Sequence, residues 1–155
     1  MHFRDLNEAQ IPALAITAEE EDARIYRDFA ESLRADFPAT AELSTRMAEE
    51  EDGHRHRLIE LYRQRLGEHI PLIRRQDLKG FVVRHPSWFT RTLRPENARA
   101  EAALMEIESR RFYEAAAQRA SDASIRQLLD DLAREEQRHE PPLRKSRMRR
   151  PRPAH

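Results

Sequence analysis

Two segments of this chain, 85 residues apart, carry the same frame. Met47-Ala48-Glu49-Glu50-Glu51-Asp52-Gly53-His54 and Leu132-Ala133-Arg134-Glu135-Glu136-Gln137-Arg138-His139 both read apolar–Ala–x–Glu–Glu–x–x–His. In the first, Met47, Glu51, His54, Leu58 and Leu61 step by four, three, four and three, which is one face of an α-helix. In the second, the same stepping joins Ile125, Leu128, Leu132, Glu136 and His139. A carboxylate and an imidazole thus lie on each apolar stripe, where an uncompensated charge is costly. A chain built this way must bring both stripes together around something that neutralises the acids.

Two further segments share a second frame. Glu19 lies seven residues before Tyr26, and Glu106 seven before Tyr113. Glu19 steps with Ile16, Ala23 and Tyr26, and Glu106 with Ala102, Ala103, Tyr113 and Ala117. Each precedes its Glu-x-x-His partner, by 32 and 30 residues. Four inward carboxylates at one level of a bundle repel one another unless cations compensate them. Two divalent metals do so, and a Glu from each of two helices with Glu-x-x-His from each of two others is the di-iron carboxylate arrangement. Hard carboxylates with few imidazoles favour iron, with manganese as the alternative. Glu20, Glu21, Glu49, Glu50 and Glu135 read as solvated flanks. Because Glu19, Glu20 and Glu21 are consecutive, spacing leaves the choice among them open, and Glu21 and Glu108 are the fallback ligands. His56 lies off the ligand face, and His69 and His85 fall in a connection. Tyr26 and Tyr113 read as core residues within reach of a ligand carboxylate, and Trp88 as a packing anchor.

Composition agrees with helices throughout. The 155 residues include three glycines and no cysteine, and Ala, Glu, Leu and Arg are abundant. Absence of cysteine excludes disulfides, thiolate zinc sites, thiol catalysis and iron–sulfur centres. No apolar run approaches the length of a membrane span and no leader-like segment opens the chain, so a cytoplasmic protein is the expectation. Basic and acidic residues balance at 28 each, but residues 141–155 hold six basic residues and no acid. The body is therefore acidic, which argues against specific nucleic-acid binding and for cations as ligands.

The spacing predicts four helices: from about Glu8–Ile11 to Ala35, from Pro38 to Leu66, from Glu96 to Ala120, and from a cap at Ser121 or Asp122 to Pro141–Pro142. Asn7 and Gln10 have the spacing of a capping box, and Gly67 ends the second helix. Residues 68–97, with Pro71, Gly80, Pro86, Pro95 and an apolar patch at Phe81, Val82, Val83, Trp88 and Phe89, are too long for a turn. They read as a crossover with a short helix around Arg75–Val83. The expected architecture is an all-α, ferritin-like four-helix bundle over residues 1–140, with a long crossover between helices two and three. Residues 141–155 read as a basic, Pro-rich disordered tail. The apolar crossover and bundle flanks suggest a homodimer.

The stretches AEEEDARIYRDFA (18–30), MAEEEDGHRHRLIELY (47–62), GEHIPLIRRQDLKGF (67–81) and AALMEIESRRFYEAA (103–117) resemble the rubrerythrin-type branch of the ferritin-like superfamily. In particular they are similar to the erythrin domain of bacterial membrane-bound ferritins, which precedes a vacuolar-iron-transporter-like membrane domain. The resemblance spans about residues 8–140. It implies a di-iron site held by Glu19, Glu51, His54, Glu106, Glu136 and His139, oxidation of Fe(II) by O2 or hydrogen peroxide, and a role in iron detoxification or export and peroxide resistance. Other readings of the same resemblance are a peroxidase served by an external electron donor and a non-catalytic iron-sensing domain. Rubrerythrins often carry a further Glu three residues after the third-helix ligand; here that position is Ser109, while the equivalent position on helix one, Asp22, is a candidate seventh ligand. Residues 141–155 do not resemble the membrane continuation.

Overall fold

Helix α1 spans Gln10–Leu33, α2 Pro38–Arg65, α3 Pro95–Arg119 and α4 Ala123–Met148. The computed structural model describes residues 1–80 and 93–148, with side chains described as far as Arg138. His85, Trp88, Phe81, Val82, Val83 and Phe89 lie outside the described residues, as do the His139 side chain and residues 149–155. All regular elements among the described residues are helical. None of the helices is long and apolar enough to cross a membrane.

The helix ends follow local chemistry. Before α1, Asn7 Oδ1 accepts from the Gln10 backbone N–H at 2.8 Å, and Gln10 Oε1 accepts from the Asn7 N–H at 3.0 Å, a reciprocal capping box. Pro12 sits in the first turn of α1, where a missing donor breaks no helical bond. Pro38 and Pro95 open α2 and α3 for the same reason. Gly67 follows α2 with φ +110°, a conformation that side-chain-bearing residues avoid. Asp122 Oδ1 caps α4 by accepting from the N–H groups of Ser124 and Ile125 at 2.9 and 3.0 Å.

Two expectations change. The short helix of the crossover is one 3-10 turn, Arg75–Asp77, and helix four does not stop at Pro141. Its backbone stays helical to Met148. Proline's fixed φ is itself helical; what a Pro pair removes is two ladder donors, with ring crowding against the preceding turn. Here the backbone continues through both prolines.

The bundle is two helical hairpins, α1 packed on α2 and α3 on α4, with sparser approach between them. Its core is divided. One apolar cluster includes Leu14, Leu58, Tyr113, Leu129 and Leu132, and joins the start of α1, the ends of α2 and α3 and the start of α4. The other includes Tyr26, Phe29, Leu33, Ala48 and Met105, toward the opposite end. Along α1, α2 and α3 the inward acids fall between the two clusters, and on α4 Glu136 follows the residues of the first. These acids form a polar layer across the middle of the bundle.

Candidate metal centre

Glu19, Asp22, Glu51, His54, Glu106 and Glu136 are all buried, none more than 5% exposed. The four-three stepping therefore turns each of these groups inward. Glu19, Glu51, His54 and Glu136 each offer one ligand atom such that all four atoms lie within 4.8 Å of one another. His54 Nδ1 is 3.3 Å from Glu136 Oε1 and 3.6 Å from Glu19 Oε1. Glu106 adjoins the same cluster, sharing a side-chain hydrogen bond with Glu136.

Rotation of α1 sets the three consecutive acids in different surroundings. Glu19 is buried, Glu20 is exposed, and Glu21 lies at the edge, its Oε2 accepting from Arg75 Nε at 3.3 Å. On α3, Glu106 faces inward, and Glu108 is only half-buried. His56 and His69 are exposed. His139 completes the sequence frame of Glu136, but its side chain lies outside the described residues.

The two tyrosines act reciprocally. Tyr26 Oη donates to Glu106 Oε1 at 2.9 Å, and Tyr113 Oη donates to Glu19 Oε1. The tyrosine seven residues after each acid thus serves the acid of the other helix, which ties α1 to α3 at the level of the polar layer. Burial, with the field of Glu106 and the other acids, pushes Tyr26 well above its usual pKa, so it stays a donor.

Electrostatically the acids outnumber the cations: Arg75, paired with Asp22 at one edge, is the guanidinium that acts on Glu19. Burial pushes Glu19 up to about 8, opposed by a hydrogen bond with Glu51 and aided by the charges of Asp22 and Glu106. Burial, then repulsion by neighbouring acids, raises Glu51 and Glu136 well above the ordinary carboxylate range. Apart from a proton shared between Glu19 and Glu51, no donor among the described residues reaches either Glu51 oxygen or Glu19 Oε2, and His54 Nδ1 has no hydrogen bond of good geometry. Buried polar atoms in native proteins are normally satisfied. The atoms just named belong to Glu19, Glu51 and His54, whose ligand atoms converge on one point. A divalent cation supplies what each of them lacks, so the residues present fit a carboxylate-bridged metal centre.

Two groups of residues around this cluster escaped the sequence reading. His54 Nε2 points away from the centre, 3.7 Å from Glu135 Oε2, and Arg57 Nη1 donates to both oxygens of Glu135, at 2.8 and 3.0 Å. Glu135 is therefore not a solvated flank: Arg57 clamps it, and it lies beside the outer nitrogen of His54. Asp22, the candidate seventh ligand, is tied instead to Arg75 Nη2 at 2.7 Å and to Ser109 Oγ at 3.2 Å. The Glu135 frame was visible as an acid next to a ligand acid. Arg75 lies in the connection, where no periodicity points to a partner.

The crystal structure of an uncharacterized conserved protein from Magnetospirillum magnetotacticum superposes on the chain with a TM-score of 0.75. The alignment covers 97% of this chain and 99% of that one at 24% identity, a likeness of fold. No curated protein matches the sequence. The profile of the Rubrerythrin family matches residues 12–146. With its four-helix ferritin-like bundle and a buried glutamate–histidine cluster fit for a di-iron site, the chain belongs to the rubrerythrin family.

Proposed function

We propose that the protein binds two iron ions between its hairpins and oxidises Fe(II), with O2 or hydrogen peroxide as acceptor, in iron detoxification and peroxide resistance. The observation that carries this is the convergence of Glu19, Glu51, His54 and Glu136, each offering one ligand atom within 4.8 Å of the others, at a buried point. There, apart from the proton shared between Glu19 and Glu51, the Glu51 oxygens, Glu19 Oε2 and His54 Nδ1 have no hydrogen-bond donor or acceptor of good geometry among the described residues. Glu19, Glu51, Glu106 and Glu136 supply the carboxylates, and His54 and His139 one imidazole each. Bound there, two Fe(II) ions would supply two electrons, one from each, to a single acceptor molecule, which is reduced as both irons become ferric.

The chain's own groups do the rest. Anionic oxygen donors favour the higher oxidation state of a hard metal. Tyr26 and Tyr113 donate hydrogen bonds to one oxygen of Glu106 and of Glu19 and so fix the orientation of both acids. Glu135, itself clamped by Arg57, keeps the Nδ1 face of His54 toward the centre. The apolar clusters pack on either side of the acids.

The test is an anaerobic Fe(II) titration of metal-free protein, followed by O2 or hydrogen peroxide while ferric absorbance is recorded, with a Glu51→Ala/His54→Ala variant alongside. Saturation at two irons per chain, oxidation on mixing and loss of both in the variant are expected. Saturable binding without oxidation would select the iron-sensing reading. Faster oxidation by peroxide than by O2 would select the peroxidase.

A further inference from the structure

Asp22 stands one turn beyond Glu19 on the inward face of α1 and is equally buried, at 2%. A carboxylate in that place is a natural further ligand for an ion at Glu19. Yet both of its oxygens are engaged from the other side: Oδ1 by Arg75 Nη2 and Oδ2 by Ser109 Oγ. Arg75 reaches in from the 3-10 turn after α2 and also donates to the Ala18 carbonyl at 3.0 Å and to Glu21. Its guanidinium therefore wraps one turn of α1. Burial works against its charge, but Asp22, Glu21 and Glu19 outweigh burial and keep it cationic. A planar, always-charged fork held at three places is a firm anchor for an aspartate.

A pocket of about 450 Å³ runs along the same seam between α1 and α3. Exposed Arg111 stands at its outer wall, Arg75 and Ser109 line its course, and Glu19, Asp22 and Tyr113 form its buried end. Because Arg75 and Asp22 cancel each other's charge, the buried end favours neither a free anion nor a free cation. It offers hydroxyls and a carboxylate edge to a small hydrogen-bonding molecule.

We propose that Arg75 is a positioning residue that withholds Asp22 from an ion at Glu19, and so keeps that end of the centre accessible through the α1–α3 pocket to a small neutral molecule of the hydrogen peroxide class. The inference rests on the metal-binding reading above. It assigns the pocket as the approach of the oxidant, and it makes Asp22 a ligand in reserve rather than a ligand in place.

The two readouts move in opposite directions. In Arg75→Gln, Asp22 is released to join the ligand set, so Mn(II) binding measured by calorimetry tightens. Azide binding to the iron-loaded, oxidised protein, with the azide entering as its small neutral conjugate acid and followed by its charge-transfer absorbance, weakens by about tenfold or more, within the range for changes around a metal site. Arg75→Gln/Asp22→Asn removes the reserve ligand and both charges, and restores azide binding to the wild-type value. Ser109→Ala, which leaves Arg75 in place, shows the same two changes at smaller size and carries the test if Arg75→Gln does not fold. Loss of both metal and azide affinity in Arg75→Gln would make Arg75 merely structural and overturn the proposal. So would a double variant that stays weak for azide, which would assign the effect to the guanidinium charge. A wild-type protein that takes up no metal would overturn the metal reading and this inference together.

Discussion

Removing metal should invert the pH dependence of stability. Glu19 has a pKa of about 8 in the folded chain against 4.5 for the free side chain. Between those values the folded protein holds a proton that the unfolded chain does not, so unfolding releases it and rising pH favours unfolding. The stability linked to this proton is fully present below pH 4.5 and is lost as pH climbs through about 8. Integrated over that interval, Glu19 alone accounts for on the order of 5 kcal/mol. For a chain of this size that corresponds to a fall in Tm of roughly 10–20 °C. Glu51 and Glu136 shift in the same direction and steepen the slope. Divalent ions bind the deprotonated acids, so their stabilisation grows with pH and opposes this trend. The assay is thermal denaturation of chelator-treated protein between pH 5 and 8, with and without Mn(II), which avoids oxidation chemistry. Metal-free protein should lose stability with pH, the Mn(II)-loaded protein should not, and Glu19→Gln should flatten the metal-free slope. Metal-free stability that is level or rises over that interval would refute the argument that these acids are buried without compensation.

Two substitutions test the residues that orient the ligands. Glu135→Gln, which weakens the clamp between Arg57 and His54, should reduce metal affinity by about 10–100-fold in competition with a chelator, with little change in the stability of the metal-free protein. Tyr113→Phe removes the only hydroxyl on Glu19 Oε1 among the described hydrogen bonds; it should destabilise the metal-free protein by about 1 kcal/mol in urea denaturation.

What could be read in the sequence was whatever a single helix determines. Glu51 and His54 are four and seven residues from Met47, and no neighbour is needed to place them on the apolar stripe. Asn7 and Gln10 signal a helix start through their own side chains, and the structure forms that box. Where several helices decide together, the residues alone were silent. Glu19, Glu20 and Glu21 differ by successive rotations of about 100°, and only the packing of α1 on α2 and α3 selects Glu19. The Glu–Tyr frame was visible twice, but its crossing over between helices was not, because it depends on how α1 and α3 face each other. Arg75 is the extreme case. It meets Asp22 across 53 residues from a segment with no repeat at all. His139 belongs to the legible part by its frame with Glu136, while its side chain lies outside the described residues.

The position of the polar layer explains why so unfavourable a set of groups can persist. Each hairpin packs along its own length, and the approach between hairpins is sparser. Glu19, Glu51 and His54 come from the first hairpin and Glu106 and Glu136 from the second. Apolar side chains of similar volume in their places would join the two clusters into one core, and such replacements of buried charges are commonly neutral or stabilising. Retaining acids there sacrifices stability in the metal-free state, a cost that proteins concentrate where function needs it. It falls on the seam, not on either hairpin. A cation bound by residues of both hairpins offsets that cost at the same seam, because it cannot satisfy Glu51 and Glu136 without joining α2 to α4. Metal binding and hairpin association are on this argument one equilibrium, and a protein stripped of metal should loosen first between its hairpins rather than within them.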